Sequence, residues 1–174
     1  MKGSGLAAII GLSVLAVSQA HGTIRYFRAD LVGSQEVPPN ASPATGFLEC
    51  TLDDETGFVN VTAGGYSGLQ SDSTNAHIHG PAGPGVNAGV VLQLIGPFGS
   101  TSGSLSGSGT LARAGFTTAE LIDAMVAGET YVNVHSVNIP GGEIRGQLLE
   151  VPEPATACLL ALGGCAVLRR RRRA

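Results

Sequence analysis

The sequence predicts an all-β fold, an antiparallel β-sandwich or barrel with one short helix, flanked by an N-terminal signal helix and a short C-terminal transmembrane helix. Three observations carry this reading. Short runs of alternating apolar and polar residues recur between turn residues, the pattern of half-buried strands in sandwiches and barrels. Glycine accounts for 26 of the 174 residues and aromatic residues for 5%, a composition of many turns and few bulky anchors. A single internal segment has helical period, and the two longest apolar segments stand at the chain ends.

The first end, MKGSGLAAIIGLSVLAVSQAHG, has a charged Lys2, an apolar run over 6–17 and small residues at Ser18 and Ala20. These are the parts of a secretory signal peptide over 1–20, cut between Ala20 and His21. Strands are expected over 24–32, 46–52, 57–63, 76–79, 89–95, 104–111, 131–136 and 143–149, each an alternating run bounded by Gly, Pro, Asn, Asp or Ser. Between the sixth and seventh strands, Thr117-Thr118-Ala119-Glu120 has the spacing of a capping box, and Leu121, Ile122, Met125 and Val126 repeat with helical period up to Gly128. That segment predicts a helix of about ten residues. The other end, VPEPATACLLALGGCAVLRRRRRA over 151–174, joins a Pro-Glu-Pro break, an uncharged run over 155–168 and the arginines Arg169, Arg170, Arg171, Arg172 and Arg173. Such a run reaches about 21 Å as a helix, short of a hydrocarbon core of roughly 30 Å. The arginines would hold its end on the cytoplasmic side, so the body lies outside and the tail inside. The chain therefore divides into a signal peptide (1–20), one domain (21–150) and an anchor segment (151–174).

Removing the ends changes the charge. The whole chain carries a formal −3, but the body between His21 and Val151 holds twelve acids against four arginines. An acidic body lacks the clustered Lys and Arg that phosphate backbones require, which excludes nucleic acid as a partner class. Cys50 is the body's single thiol, since Cys158 and Cys165 lie in the tail. It sits in an alternating segment and is expected to be buried.

The chemistry concentrates in two places. In TNAHIHGPAGPG, His77 and His79 stand one residue apart on a strand, so both imidazoles leave one face of a sheet roughly 6 to 7 Å apart at the backbone. In the last hairpin, Val132 and Val134 alternate with Tyr131, Asn133 and His135, and Ile144 and Leu148 with Glu143, Arg145 and Gln147. The apolar sets share the core, so the polar sets share the opposite face, where Asn133, His135, Glu143 and Arg145 are expected to form one hydrogen-bonded cluster with an Arg–Glu pair. His77, His79 and His135 together offer three nitrogens to zinc or copper at about 2 Å with one position left open, and Asn133 and Glu143 stand where they would orient them. The competing reading is structural, with neutral imidazoles satisfying loop carbonyls and no cofactor bound. Both readings stand on the sequence alone. Cleavage at Ala20 would also place His21 at the N-terminus, where amine and imidazole together can hold copper, as in the sites of lytic polysaccharide monooxygenases; nothing else in the chain supports that site. Ser136 and His135 point to opposite faces and make no nucleophile–base pair. GPAGPG has neither lysine nor following helix and is no phosphate loop. Asp53, Asp54 and Glu55 read as a turn, and Glu36, before Pro38 and Pro39, as a strand exit made rigid by proline.

Three segments carry a family resemblance: 31-LVGSQEVPP-39, 76-AHIHGPAGPG-85 and 130-TYVNVHSVNIPGGEIRGQL-148. In order and spacing they resemble the CHRD domain, a module of secreted proteins, over roughly 25–149. The resemblance implies an extracellular β-sandwich of immunoglobulin-like or superoxide-dismutase-like type and no particular reaction. The His-X-His strand also resembles part of the copper site of copper-zinc superoxide dismutase, yet no histidine lies between Gly80 and His135 to supply its remaining ligands. The tail, with Val151, Pro152, Glu153 and Pro154 ahead of the apolar run and arginines, resembles the PEP-CTERM sorting signal, which implies processing by an exosortase-type enzyme. Together these features predict an exported, non-enzymatic module, held in the inner membrane in transit and then placed at the cell surface or outside it. Its expected role is structural, adhesive or binding, toward an extracellular polysaccharide or a surface protein. The alternative is a metal-binding or redox domain using His77, His79 and His135 with copper or zinc.

Overall fold

A computed structural model describes residues 22–152. The signal peptide, its Ala20–His21 junction, Glu153 and Pro154, the run over 155–168 and the arginines 169–173 lie outside the described residues. Among the described residues no helix is long and apolar enough to cross a membrane.

The chain is mostly β with one helix. Ten strands form one curled antiparallel sheet: β1 (Ile24–Val32), β2 (Thr45–Asp53), β3 (Phe58–Ser67), β4 (Ser73–His79), β5 (Val90–Gln93), β6 (Gly103–Ser104), β7 (Ser108–Thr110), β8 (Tyr131–Ser136), β9 (Ile144–Gln147) and β10 (Leu149–Val151). The order is β5-β4-β8-β9-β1-β2-β3-β6, with β7 also on β3 and β10 on β1. The sheet curls until its two ends touch at one bridge, Ile95 with Ser106. It is thus one curled half-barrel sheet, in keeping with the barrel side of the expected sandwich or barrel.

Strand alternation selects the core. In β1 Phe27, Ala29 and Leu31 are buried while Arg28 and Asp30 are not, and in β2 Leu48, Cys50 and Leu52 are buried beside them. Ile78 of β4, Val132 and Val134 of β8, and Ile144 complete one continuous apolar interior. Burial pushes the Cys50 thiol up to about 12, as expected of a thiol among apolar side chains. A bulge between Glu49 and Cys50 in the β2–β3 pairing adds to the local bend that a curled sheet needs.

The helix α1 (Thr118–Val126) caps the interior with Leu121, Ile122 and Met125. Its start is the expected capping box: the Thr117 hydroxyl accepts from the Glu120 amide, and the Glu120 carboxylate accepts from the Thr117 amide at 2.8 Å. Gly128, at φ +74°, turns the chain out of the helix. The expected strand over 104–111 is two short strands, β6 and β7, because Gly107 at φ +151° breaks the extended run. A single 3-10 turn at Gly33–Gln35 follows β1 and was not anticipated.

The other face of β4, β8 and β9 is also covered. Tyr131, Asn133 and Arg145 are buried although they point away from the apolar core. The cover is made of two loops, 81–89 and 34–42, which bond back to this face through Arg145, Gln147, Glu143 and Tyr131. Both loops contain a cis proline peptide, Gly80–Pro81 and Val37–Pro38. The molecule therefore has an apolar layer on one side of this sheet region and a buried polar layer on the other.

Candidate metal centre

Strand register assembles the polar layer. Across β5, β4, β8 and β9, Gln93 stands opposite His77, His77 opposite Asn133, and Asn133 opposite Arg145. One step along, His79 stands opposite Tyr131 and Tyr131 opposite Gln147; one step back, Asn75 stands opposite His135. Residues opposite each other on one face are near neighbours, so this register alone places the three imidazoles around Asn133.

His77, His79 and His135 do converge. Each offers a ring nitrogen, and these atoms lie within 4.8 Å of one another. His77 Nδ1 is 3.0 Å from His135 Nε2. His79 is buried at 9% exposure, and the other two are half-buried. Backbone carbonyls fix the tautomers of two rings. The Ala88 carbonyl, 2.9 Å from His79 Nδ1, can only accept, so Nδ1 carries the proton and Nε2 the lone pair. The Pro140 carbonyl, 2.8 Å from His135 Nδ1, does the same for that ring. Both Nε2 atoms therefore carry lone pairs, that of His135 accepting from His77 Nδ1, and each ring is held by its second nitrogen as a ligating histidine is. His79 Nε2 is buried and has no hydrogen-bond partner.

The site holds its imidazoles neutral, the state in which they bind metal. Burial, with His135 and His79 adding repulsion, pushes His77 down to about 4. Burial also lowers His79, against the hydrogen bond to Ala88 that favours its charged form, and it lowers His135 against the bond to Pro140. The Arg145 guanidinium further disfavours a proton on His79. Arg145 lies 3.4 Å above the Tyr131 ring, and the same ring is stacked with His79 at 5.0 Å and 5°. This cation–π contact and four neutral acceptors, Asn87, Gly83, Val86 and Gln147, hold the buried cation without a carboxylate contact.

The expected Glu143–Arg145 pair is absent. Glu143 precedes the first residue of β9, so strand alternation does not direct its side chain toward Arg145. Its carboxylate instead accepts from the Ser42 hydroxyl at 2.6 Å and the Gln70 amide at 2.8 Å, which pins the covering loop. Neither Glu143 nor Arg145 takes part in an ion pair among the described residues. Asn133 does lie at the centre of the histidines, with Oδ1 buried and unpartnered. Val151 and Pro152 end the described chain, Val151 in β10 beside Tyr26.

Sequence reasoning passed over two participants. Glu36 reads as a strand exit, yet it is 5% exposed, its Oε1 has no partner, and burial pushes its carboxyl up to about 7 against the nearby Arg145 charge. The signal was present in a charged residue flanked by apolar and proline residues in SQEVPP. Gln93 stands opposite His77, and its Nε2 donates to Asn75 Oδ1 at 2.5 Å, leaving the amide oxygen toward His77.

The CHRD domain family model matches residues 27–148, which include every residue of this site. No curated protein and no solved structure matches the chain.

Proposed function

The chain belongs to the CHRD family, and from that premise we propose that it is an exported binding module whose binding centre is a three-histidine metal site for copper or zinc. CHRD domains are typically extracellular or secreted modules. The observation that carries the metal reading is the convergence of one ring nitrogen from each of His77, His79 and His135, with two tautomers set by outer carbonyls. A purely structural histidine cluster has no need of a buried, unpartnered lone pair, and such orphans are rare in native interiors. Imidazole suits copper and zinc among common metals, and Cys50, the one thiol among the described residues, sits in the apolar interior away from the polar layer. The role is binding, with the metal either the cargo or a fixed contact point for a surface partner such as a polysaccharide or protein.

The route to the surface is the second part of the proposal. Signal peptide, Val-Pro-Glu-Pro motif, short apolar run and arginine cluster support export, transient inner-membrane anchoring and processing by an exosortase-type enzyme.

Metal analysis of the purified chain tests the centre. One copper or zinc per chain is expected after equilibration and dialysis, with loss of at least nine-tenths of it in His77→Ala/His79→Ala; a metal-free wild type under replete conditions sinks the reading. The route is tested separately by deleting 152–174, which should abolish processing and surface delivery. Unchanged delivery would remove the sorting signal from the account.

A further inference from the structure

Beside the imidazoles lie three buried acceptors with nothing to accept from. His79 Nε2, Asn133 Oδ1 and Glu36 Oε1 are each shielded from solvent and each lack a hydrogen-bond partner. Buried polar atoms without partners mark the place of an ion or water. The three belong together. Asn133 stands opposite His77 across β4 and β8, with His79 and His135 two residues further along those strands. On its other side, the Asn133 amide shares a cradle with Glu36: a Cβ built on Gly142 would stand 2.7 Å from Asn133 Nδ2 and 2.5 Å from Glu36 Oε1. Only a glycine leaves that space, and Gly142 holds φ +130°. The amide is therefore oriented with its nitrogen toward Glu36 and its oxygen free on the histidine side.

Three histidines leave at least one position of a zinc or copper ion open. A metal ion satisfies His79 Nε2. The oxygen of Asn133 then needs a donor, which a water on that open position supplies through an O–H.

We propose that Asn133 accepts a hydrogen bond from the small protic ligand on the open metal position, and that Glu36, anchored in the SQEVPP turn, is the positioning residue that packs beside the Asn133 amide in the Gly142 cradle. This rests on the metal reading above. Glu36 also lines a cavity of about 360 Å³ between the covering loops, walled by Ser34, Pro39, Pro84, Arg145 and Gln147. The ligand class is a water or hydroxide exchangeable for a small anion.

Azide binding to the copper(II)-loaded full chain tests this, read by the charge-transfer absorption that azide produces on copper. Copper content is measured first. Asn133→Ala and Glu36→Ala should keep one copper per chain, because the imidazoles are untouched. Each should bind azide about tenfold more tightly, since the water to be displaced has lost one hydrogen bond. Glu36→Gln, which keeps the size of the side chain and an oxygen in the same cradle, should restore wild-type affinity; a role in folding alone would not give that pattern. Azide affinity within twofold of wild type in both alanine variants, with copper retained, overturns the inference and leaves the metal centre standing. If Asn133→Ala does not fold, Glu36→Ala decides alone by the same criterion. A wild type that takes up no copper removes the metal reading and this inference together, before azide is added.

Discussion

At the residue scale, the buried polar layer is maintained by neutral groups where charges would be costly. Arg145 is an exception, and it is held by four uncharged acceptors and the face of Tyr131. Glu36 shows the cost directly. Its carboxyl is pushed up from the ordinary 4.5 to about 7, mainly by burial. Below pH 4.5 both folded and unfolded chains hold the proton, and Glu36 adds no pH dependence. Between 4.5 and 7 the unfolded chain releases it while the folded chain retains it, so stability falls as pH rises and the loss is complete above 7. A shift of that size is worth at most roughly 3 kcal/mol, less where solvent still reaches the carboxyl. Glu36→Gln cannot ionise. Its unfolding free energy, by denaturant titration, should match wild type at pH 4 and exceed it by roughly 2 kcal/mol at pH 8. Equal differences at both pH values would show that Glu36 is solvated in the folded chain.

At the element scale, the loops that close over β4, β8 and β9 set the site as much as the strands do. Gly142 is the test point. A methyl there meets Glu36 and Asn133 at 2.5 and 2.7 Å and also forces a side chain into φ +130°. Gly85 has φ +78° and open space around it. Gly85→Ala should thus cost only backbone strain, about 1 kcal/mol, while Gly142→Ala should cost about 3 kcal/mol by thermal unfolding and weaken metal retention. Similar losses at the two positions would mean that the cradle is not tight. At the start of α1, Thr117→Ala removes the acceptor for the Glu120 amide and should cost about 1 kcal/mol. Unchanged unfolding would show that packing of Leu121 and Met125 alone holds the helix.

The same contrast between strands and loops explains what could be read from the chain. Strands β1, β2, β4 and β8 were legible because alternation such as Phe27-Ala29-Leu31 against Arg28-Asp30 is local. So was the helix, whose capping box and apolar spacing are contained in ten residues. The histidine cluster was legible too, since His77, His79 and His135 share a face once β4 and β8 pair. What could not be read was the cover. Nothing local in GPAGPG or EVPPNAS says that these loops fold over the polar face, and so Glu36 looked like a strand exit and Glu143 like a partner of Arg145. β10 escaped for a related reason: its pairing with Tyr26, Phe27 and Arg28 depends on how the sheet curls, not on its own composition.

At the scale of the whole molecule, the proposed metal centre draws on parts of the chain that are far apart in sequence. His77 and His79 come from β4, and His135 from β8, 56 residues beyond His79 by position. An ion held by both strands binds the folded chain and finds no preformed site in the unfolded one, so it stabilises the whole fold by mass action. At a free metal concentration of one hundred times the dissociation constant the gain is about 2.7 kcal/mol. For a domain of this size that raises the midpoint of thermal unfolding by roughly 5 to 10 °C. Addition of EDTA in excess should reverse the rise. His135→Ala separates this effect from general ion binding to the acidic body, because it leaves all twelve acids in place while removing one ligand. The variant should show little or no metal-dependent shift. If His135→Ala gains as much as wild type, the stabilising ion sits on surface carboxylates, and the three imidazoles are joined by hydrogen bonds alone.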